Sequence, residues 1–379
     1  MTGHVRHLYV HLPFCAHRCG YCDFVTVVGR EGQHGPYVHA LLTELALERE
    51  VLAGPVETVF LGGGTPTFTT EDELARLLDG LPLAGAEEVT VEANPETVTP
   101  ELARMLRAAG VNRVSLGAQS FRPHLLAVLE RRASGDDVRR AVHTLRDAGC
   151  DNISLDLLYG IPGQSAAHLE RDLADALALE PEHMSCYELE AKPGTRFTHA
   201  HGPELQRQAE AMEGYFERVV DTLTAAGYRW YETANFCLDP GRAGGRDLRA
   251  RHNLGYWQAR DYLGIGVGAV STVSGVRQRN RPGLAAYLAA LARGERPVRE
   301  IEPLDDATRA RERLLLGLRL DEPLLLAAAG TAVDRAALAR LVAGGLVEVG
   351  ANGHGGELRL TRRGRFLGGG VTAELLALA

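Results

Sequence analysis

From the start of the chain to about residue 235, short apolar runs alternate with longer amphipathic stretches. Runs of strand character fall at 8–12, 57–61, 88–92, 113–116, 153–158 and 183–189. Between them, apolar residues recur at helical spacing over 36–52, 71–78, 100–108, 136–148 and 166–179, and a longer stretch, 204–226, follows the last run. Several stretches open behind Pro, Thr or Gly and close at Gly110, Gly149 or Gly227, where capping chemistry places helix ends. Strand followed by helix, repeated in this way, predicts an α/β unit with a parallel sheet. Six such units give a partial (β/α)6 barrel, short of a closed eight-unit one.

Beyond Tyr228 the alternation fades. Residues 238–251, Gly- and Arg-rich, read as a mobile loop; after it come Arg251-His252-Asn253-Leu254-Gly255-Tyr256-Trp257 and the glycine-rich Leu263-Gly264-Ile265-Gly266-Val267-Gly268-Ala269. After Pro303 three short helical patterns precede two strand-like runs, 346–349 and 357–360, joined by a Gly/Asn turn. The pattern divides the chain into the partial barrel (1–235), a connector (236–300) and a small winged-helix-like unit (301–379).

The 379 residues carry 41 basic against 49 acidic side chains, a net charge of −8, which gives no reason to expect general nucleic-acid affinity. Arg359, Arg362, Arg363 and Arg365 form a basic cluster in the tail that alone suggests DNA; docking and contact with anionic lipid are other uses. No apolar run approaches the length of a membrane span, and no secretory signal opens the chain. Six cysteines, three of them in one loop, do not form a disulfide framework, so the thiols belong to a reducing, cytosolic setting.

Candidate chemistry gathers just after the strand runs. Cys15, Cys19 and Cys22 form CxxxCxxC behind the first, and Gly62-Gly63-Gly64-Thr65-Pro66 follows the second. Glu92 ends the third, Gln119 lies past the fourth, and Asp156 sits on the fifth. Strands of a barrel-like parallel sheet end on one face, so these groups converge. Three thiolates can hold three irons of a cuboidal cluster and leave the fourth open, whereas electron carriers normally supply four. The alternative is a zinc site completed by His11 or His17. Glu92 suits an ammonium or ribose hydroxyls, Gln119 both donates and accepts, and Arg131 or Arg132 suits a carboxylate. Singly, each is about as well explained by a contact within the protein. His252 reads by itself as a residue that pins an irregular loop, with Trp257 filling core. Cys186 and Cys237 offer thiolates but suit inert burial, as does Cys150.

Together, Tyr9-Val-His-Leu-Pro-Phe-Cys15 through Cys22, GGGTP, Val91-Glu92-Ala93-Asn94-Pro95, Leu116-Gly-Ala-Gln119-Ser-Phe121 and Asp156-Leu-Leu-Tyr-Gly-Ile-Pro162 resemble the radical S-adenosylmethionine superfamily, in its coproporphyrinogen-dehydrogenase-like branch. The resemblance implies a [4Fe–4S] cluster whose open iron chelates S-adenosylmethionine; in enzymes of this class one electron then cleaves the sulfonium to methionine and a 5′-deoxyadenosyl radical. It also implies that Tyr9, Tyr21, Gly63, Gly64, Thr65, Glu92, Gln119, Arg131 and Asp156 line the S-adenosylmethionine site. Phe24 stands where the dehydrogenases carry a further cysteine, and only fourteen residues precede Cys15, too few for their N-terminal lid. Both departures, and the HNxxYW match at His252, resemble the haem-chaperone group of the branch. That likeness implies haem as cargo, with His252 a candidate axial ligand, Tyr256 and Trp257 against the macrocycle and the tail arginines available to its propionates; it also implies haem-acceptor proteins (respiratory membrane proteins among them), an electron donor, no nucleic-acid partner and no coproporphyrinogen dehydrogenase activity. It fits a cytoplasmic protein, with a peripheral place at the inner face of the membrane as a further option.

Overall fold

The computed structural model describes residues 5–52, 54–192, 196–350 and 356–377; the expected Gly/Asn turn, at 351–355, lies outside them. One sheet is built from β1 (His7–Leu12), β2 (Thr58–Gly63), β3 (Glu88–Ala93), β4 (Arg113–Gln119), β5 (Ile153–Tyr159), β6 (His183–Glu188), β7 (Tyr228–Trp230), β8 (Asn235–Leu238) and β9 (Leu263–Ile265). The strand order is β9-β1-β2-β3-β4-β5-β6-β8-β7. All pairings from β9 to β6 are parallel, and the last two are antiparallel. The chain is thus an α/β protein around a central parallel sheet with crossover helices, the fold class that the alternation predicts.

The two faces of this sheet differ in character. Leu8, Val10, Val59, Leu61, Val89, Val91, Val114, Leu116, Leu155 and Leu157 are buried on the outer face beneath the helices. The alternate positions carry His7, Tyr9 and His11 on β1, Thr58 on β2, Thr90 and Glu92 on β3, Arg113 and Ser115 on β4, Ser154 and Asp156 on β5, and His183 and Ser185 on β6. A strand turns successive side chains to opposite faces, so one face becomes apolar core and the other a polar interior.

Several expectations change after β6. The stretch 204–226 is two helices, Arg196–Ala209, which contains Pro203, and Met212–Ala225. The loop 238–251 is tied down: Arg246 Nη1 reaches Asp151 Oδ2 (2.9 Å), and Arg249 bridges Asp247 and Glu322. His252 lies on a helix, Arg251–Trp257, rather than in an irregular loop, because the Glu88 carboxylate accepts its first N–H groups, from Arg251 (2.8 Å) and His252 (2.9 Å). The glycine-rich stretch supplies β9, a seventh parallel strand at the edge of β1. Gly264 is required there, since a Cβ would lie 2.1 Å from the Val270 carbonyl oxygen. Much of the expected connector therefore packs into the main core, through Leu263, Ile265, Val267, Tyr287 and Leu291.

The tail has its own apolar cluster, around Leu314, Leu341, Leu358 and Leu375, and a three-stranded sheet of Leu324–Leu325, Glu357–Leu360 and Val347–Gly350. Each arginine of its basic cluster has a partner within the protein. Arg359 pairs with Glu348 (2.7 Å), Arg362 with Asp221, and Arg363 donates to the Gly344 carbonyl. Arg365 stacks 3.6 Å over the Trp230 ring and donates to the Trp230 carbonyl (2.8 Å).

Candidate functional site

The C-terminal ends of the strands bring the sequence-derived candidates together. Thr65 Oγ1, just after β2, lies 3.6 Å from Cys15 Sγ and accepts from Asn94 Nδ2 (3.1 Å). Asn94 Oδ1 accepts from Arg131 Nη2 (2.9 Å), which also reaches the Gly117 carbonyl (2.7 Å), while Arg131 Nη1 lies 3.6 Å from Cys19 Sγ. One chain of polar contacts therefore runs from Cys15 to Cys19 through three strand ends. Asn94 is its central link; sequence reasoning quoted it in a motif but gave it no role. Arg132, the other arginine considered, is exposed.

Glycines bring backbone close to the same place. Gly63 has φ +112°, and a Cβ there would meet the His11 ring at 2.4 Å; its N–H donates to Glu92 Oε2 (3.1 Å). A Cβ on Gly64 would lie 2.6 Å from the Pro13 carbonyl carbon. Gln119, at a register shift in β4, holds a left-handed φ of 64°, an unfavourable backbone for a non-glycine residue and one that re-aims its side chain at the rim. Tyr21 packs edge-on against Phe197 (6.5 Å), so the helix Arg196–Ala209 covers the cysteine loop. Tyr9 hydrogen-bonds His11 Nδ1 (3.0 Å), and His11 Nε2 donates to the Val25 carbonyl (2.9 Å). Both His11 nitrogens are engaged, which takes His11 out of any zinc site.

Burial sets the electrostatics. It pushes Glu92 up to about 7, with Asp156 adding to the rise and the Gly63 N–H opposing it. Asp156 is raised by the same desolvation, against hydrogen bonds from Ser185 and Ser115 and the pull of Arg113 and Arg131. Burial also raises Cys15 to about 11, with the Thr65 contact working the other way. A protonated Cys15 thiol is thus favoured without metal, and iron would displace that proton on binding.

His252 lies elsewhere, at the opposite ends of the strands. It is 1% exposed, with Nδ1 2.8 Å from Thr58 Oγ1 and Nε2 2.9 Å from Tyr256 Oη. His7 Nδ1 shares the same Thr58 hydroxyl (2.9 Å). Desolvation, with His7 nearby, drives His252 down to about 3. The ring is a neutral, fully engaged group beneath Tyr9 and Phe60.

The Radical SAM superfamily profile matches residues 9–176. Over 386 residues the chain is 38% identical to the heme chaperone HemW of Mycobacterium tuberculosis, covering 99% of this chain and 96% of that relative. The chain belongs to the HemW family. Family proteins of Bacillus subtilis (35% identical, 82% of each chain) and Escherichia coli (38%, 70% of each) match as well. Among solved structures, coproporphyrinogen III oxidase (HemN) from Escherichia coli, a radical SAM enzyme, superposes with a TM-score of 0.80 at 24% identity, over 98% of this chain and 90% of that one; that likeness concerns the fold.

Superfamily membership implies a [4Fe–4S] cluster and S-adenosylmethionine, and the residues present fit both. Among the described residues no three His, Cys, Asp or Glu side chains close on a single metal ion. A cube takes each thiolate on a different iron, so its ligands need not converge on one point. Arg131 Nε is buried without a hydrogen-bond partner, a spare donor beside the three thiols. No helix among the described residues is long and apolar enough to cross a membrane.

Proposed function

We propose that this chain is a haem chaperone that carries a [4Fe–4S] cluster with S-adenosylmethionine and passes haem to acceptor proteins. Cys15, Cys19 and Cys22 are the cluster ligands on this reading. Gly63, Gly64 and Thr65 bring backbone against the S-adenosylmethionine head group, Arg131 faces its carboxylate, and Glu92 and Asp156 accept from its ammonium or ribose hydroxyls. Tyr9, Tyr21 and Gln119 complete the lining. When bound, cluster and cofactor together supply one-electron chemistry at the sulfonium. The protein's own part is to exclude water, orient the ligand and keep two carboxylates next to a cation. The observation that carries the reading is the continuous contact from Cys15 through Thr65, Asn94 and Arg131 to Cys19, which ties the thiols to the polar rim.

The division into barrel, connector and tail remains part of this proposal, with the connector serving the barrel. His252 as axial haem ligand requires Tyr256 to release Nε2, since both ring nitrogens are otherwise held. The test is anaerobic reconstitution followed by two titrations. Iron bound with a paramagnetic signal that changes on adding S-adenosylmethionine, together with saturable haem binding, supports the proposal. A centre indifferent to S-adenosylmethionine removes the site assignment, and coproporphyrinogen decarboxylation would make the protein an oxidase instead. Loss of the haem spectrum in folded His252→Ala assigns the ligand; an unchanged spectrum leaves His252 as a structural pin.

A further inference from the structure

Arg113, at the start of β4, is a charged residue on the inner face that the site reading leaves without a task. It is 3% exposed and stands opposite Thr90 of β3. Its Nη2 donates to His183 Nδ1 (3.3 Å), which also meets Ser154 Oγ (2.8 Å). A guanidinium only donates, so that nitrogen is an acceptor and the imidazole is neutral, with its proton on Nε2 toward Tyr231 Oη (2.7 Å). His183 therefore offers no negative charge. Arg113 Nε and the neighbouring Thr90 hydroxyl are buried and have no hydrogen-bond partner among the described residues.

A guanidinium does not give up its proton, and burying it without compensation is costly. Glu88, two residues before Thr90 on the same face, is already engaged by the N–H groups of Arg251 and His252, and the remaining counter-charges stand further along. Glu92 is two residues beyond Thr90, opposite Ser115, and Ser115 Oγ touches both oxygens of Asp156 at 3.3 Å. We propose that Arg113 is a positioning residue of the S-adenosylmethionine site, holding Glu92 and Asp156 as carboxylates from beneath so that they can accept the ligand's hydrogen bonds. This inference rests on the site reading above.

The electrostatics agree. Burial raises both acids, and Asp156 raises Glu92 further, whereas Arg113 pulls both down. The other titratable groups facing Glu92 are Tyr9 from β1, Tyr187 from β6 and Tyr256 from the helix Arg251–Trp257, and burial keeps all three phenols protonated. Asp156 feels Arg131 as well, whereas the cation that pulls on Glu92 is Arg113.

The experiment measures S-adenosylmethionine affinity by calorimetry from about pH 6 to 9, with thermal unfolding in parallel, on the anaerobically reconstituted full chain. Arg113→Gln keeps a donor for His183 and removes the charge. Binding to the unsubstituted protein should strengthen through about pH 7. In Arg113→Gln that midpoint should rise by about one unit or more, so affinity at pH 7 falls about fivefold and recovers by about pH 8.5. Arg113→Lys should restore the original midpoint. A Gln variant that melts earlier but keeps the midpoint overturns the proposal, since it makes Arg113 merely structural. If the Gln variant does not fold, a Lys variant whose midpoint is displaced upward by a full unit overturns it equally. Failure of the unsubstituted protein to bind at any pH instead removes the site reading beneath it.

Discussion

At the N-terminal ends of the strands, His7, Thr58, His252 and Tyr256 form a continuous set of hydrogen bonds, and Glu88 caps the helix that carries His252. At the C-terminal ends, Glu92, Asp156, Gln119 and Arg131 stay partly accessible; Arg131 keeps a donor unused, and Gln119 sits on strained backbone. The polar groups around His252 are thus paired with one another, whereas the rim at the other end keeps a spare donor on Arg131. In barrel-like parallel sheets the first condition holds the fold together and the second receives a ligand. The contrast divides the sequence-derived candidates, because His252 and the cysteines lie on opposite sides of it.

The sharpest break is Cys19→Ala. It should abolish the cluster, seen as loss of bound iron and of any S-adenosylmethionine-dependent paramagnetic change, while the melting temperature of the metal-free chain stays nearly constant. His252→Ala should do the reverse. It leaves Tyr256 without its imidazole partner and Thr58 with His7 alone, and should cost about 2–4 kcal/mol in denaturant unfolding, with S-adenosylmethionine affinity of the folded fraction unchanged. A loss of affinity equal to the loss of stability would erase the distinction between the two ends.

The pH dependences differ in sign. His252 stays neutral in the fold down to about pH 3, whereas the unfolded chain takes up its proton near 6.5, so its contribution is complete above 6.5 and is lost as pH falls through that window. Glu92 keeps its proton to about pH 7, whereas the unfolded chain releases it near 4.5, so the ligand-free fold loses up to about 3 kcal/mol as pH rises between those values. Glu92→Gln should flatten that loss and stabilise the ligand-free protein at pH 7, yet weaken S-adenosylmethionine binding by about tenfold. Unfolding curves at pH 5 and 7.5 would check both acids and imidazole together. The smallest effect belongs to the tail: Arg359→Ala, an exposed pair with Glu348, should change stability by less than about 0.5 kcal/mol.

The first six strands were legible because their outer faces are unbroken apolar runs, Val and Leu for the most part, and their helices end at glycines with positive φ, as at Gly110, Gly149 and Gly227. The rim was legible for a related reason: the cysteines, GGGTP, Glu92 and Asp156 each adjoin a readable strand. β9 was not, since three residues centred on a glycine show no alternation and take their place from contact with β1 and Val270. The helix at His252 escaped notice because its start depends on Glu88, more than a hundred and sixty residues away. The polar inner face was present in the sequence as His7, Thr58, Arg113 and His183, but only the register shows that these positions meet. Two tail arginines find partners in the barrel, Arg362 at Asp221 and Arg365 at Trp230, which spacing along the chain does not show.

The chain has two tryptophans, and both rest under an arginine at the seam between barrel and tail: Trp230 under Arg365 at 3.6 Å and Trp257 under Arg319 at 6.0 Å. In the metal-free, haem-free chain, intrinsic fluorescence is therefore a label-free reporter of how the small unit is seated. A shift in emission at a temperature or denaturant concentration below that of global unfolding would register loosening of that seam, without a dye or a tag.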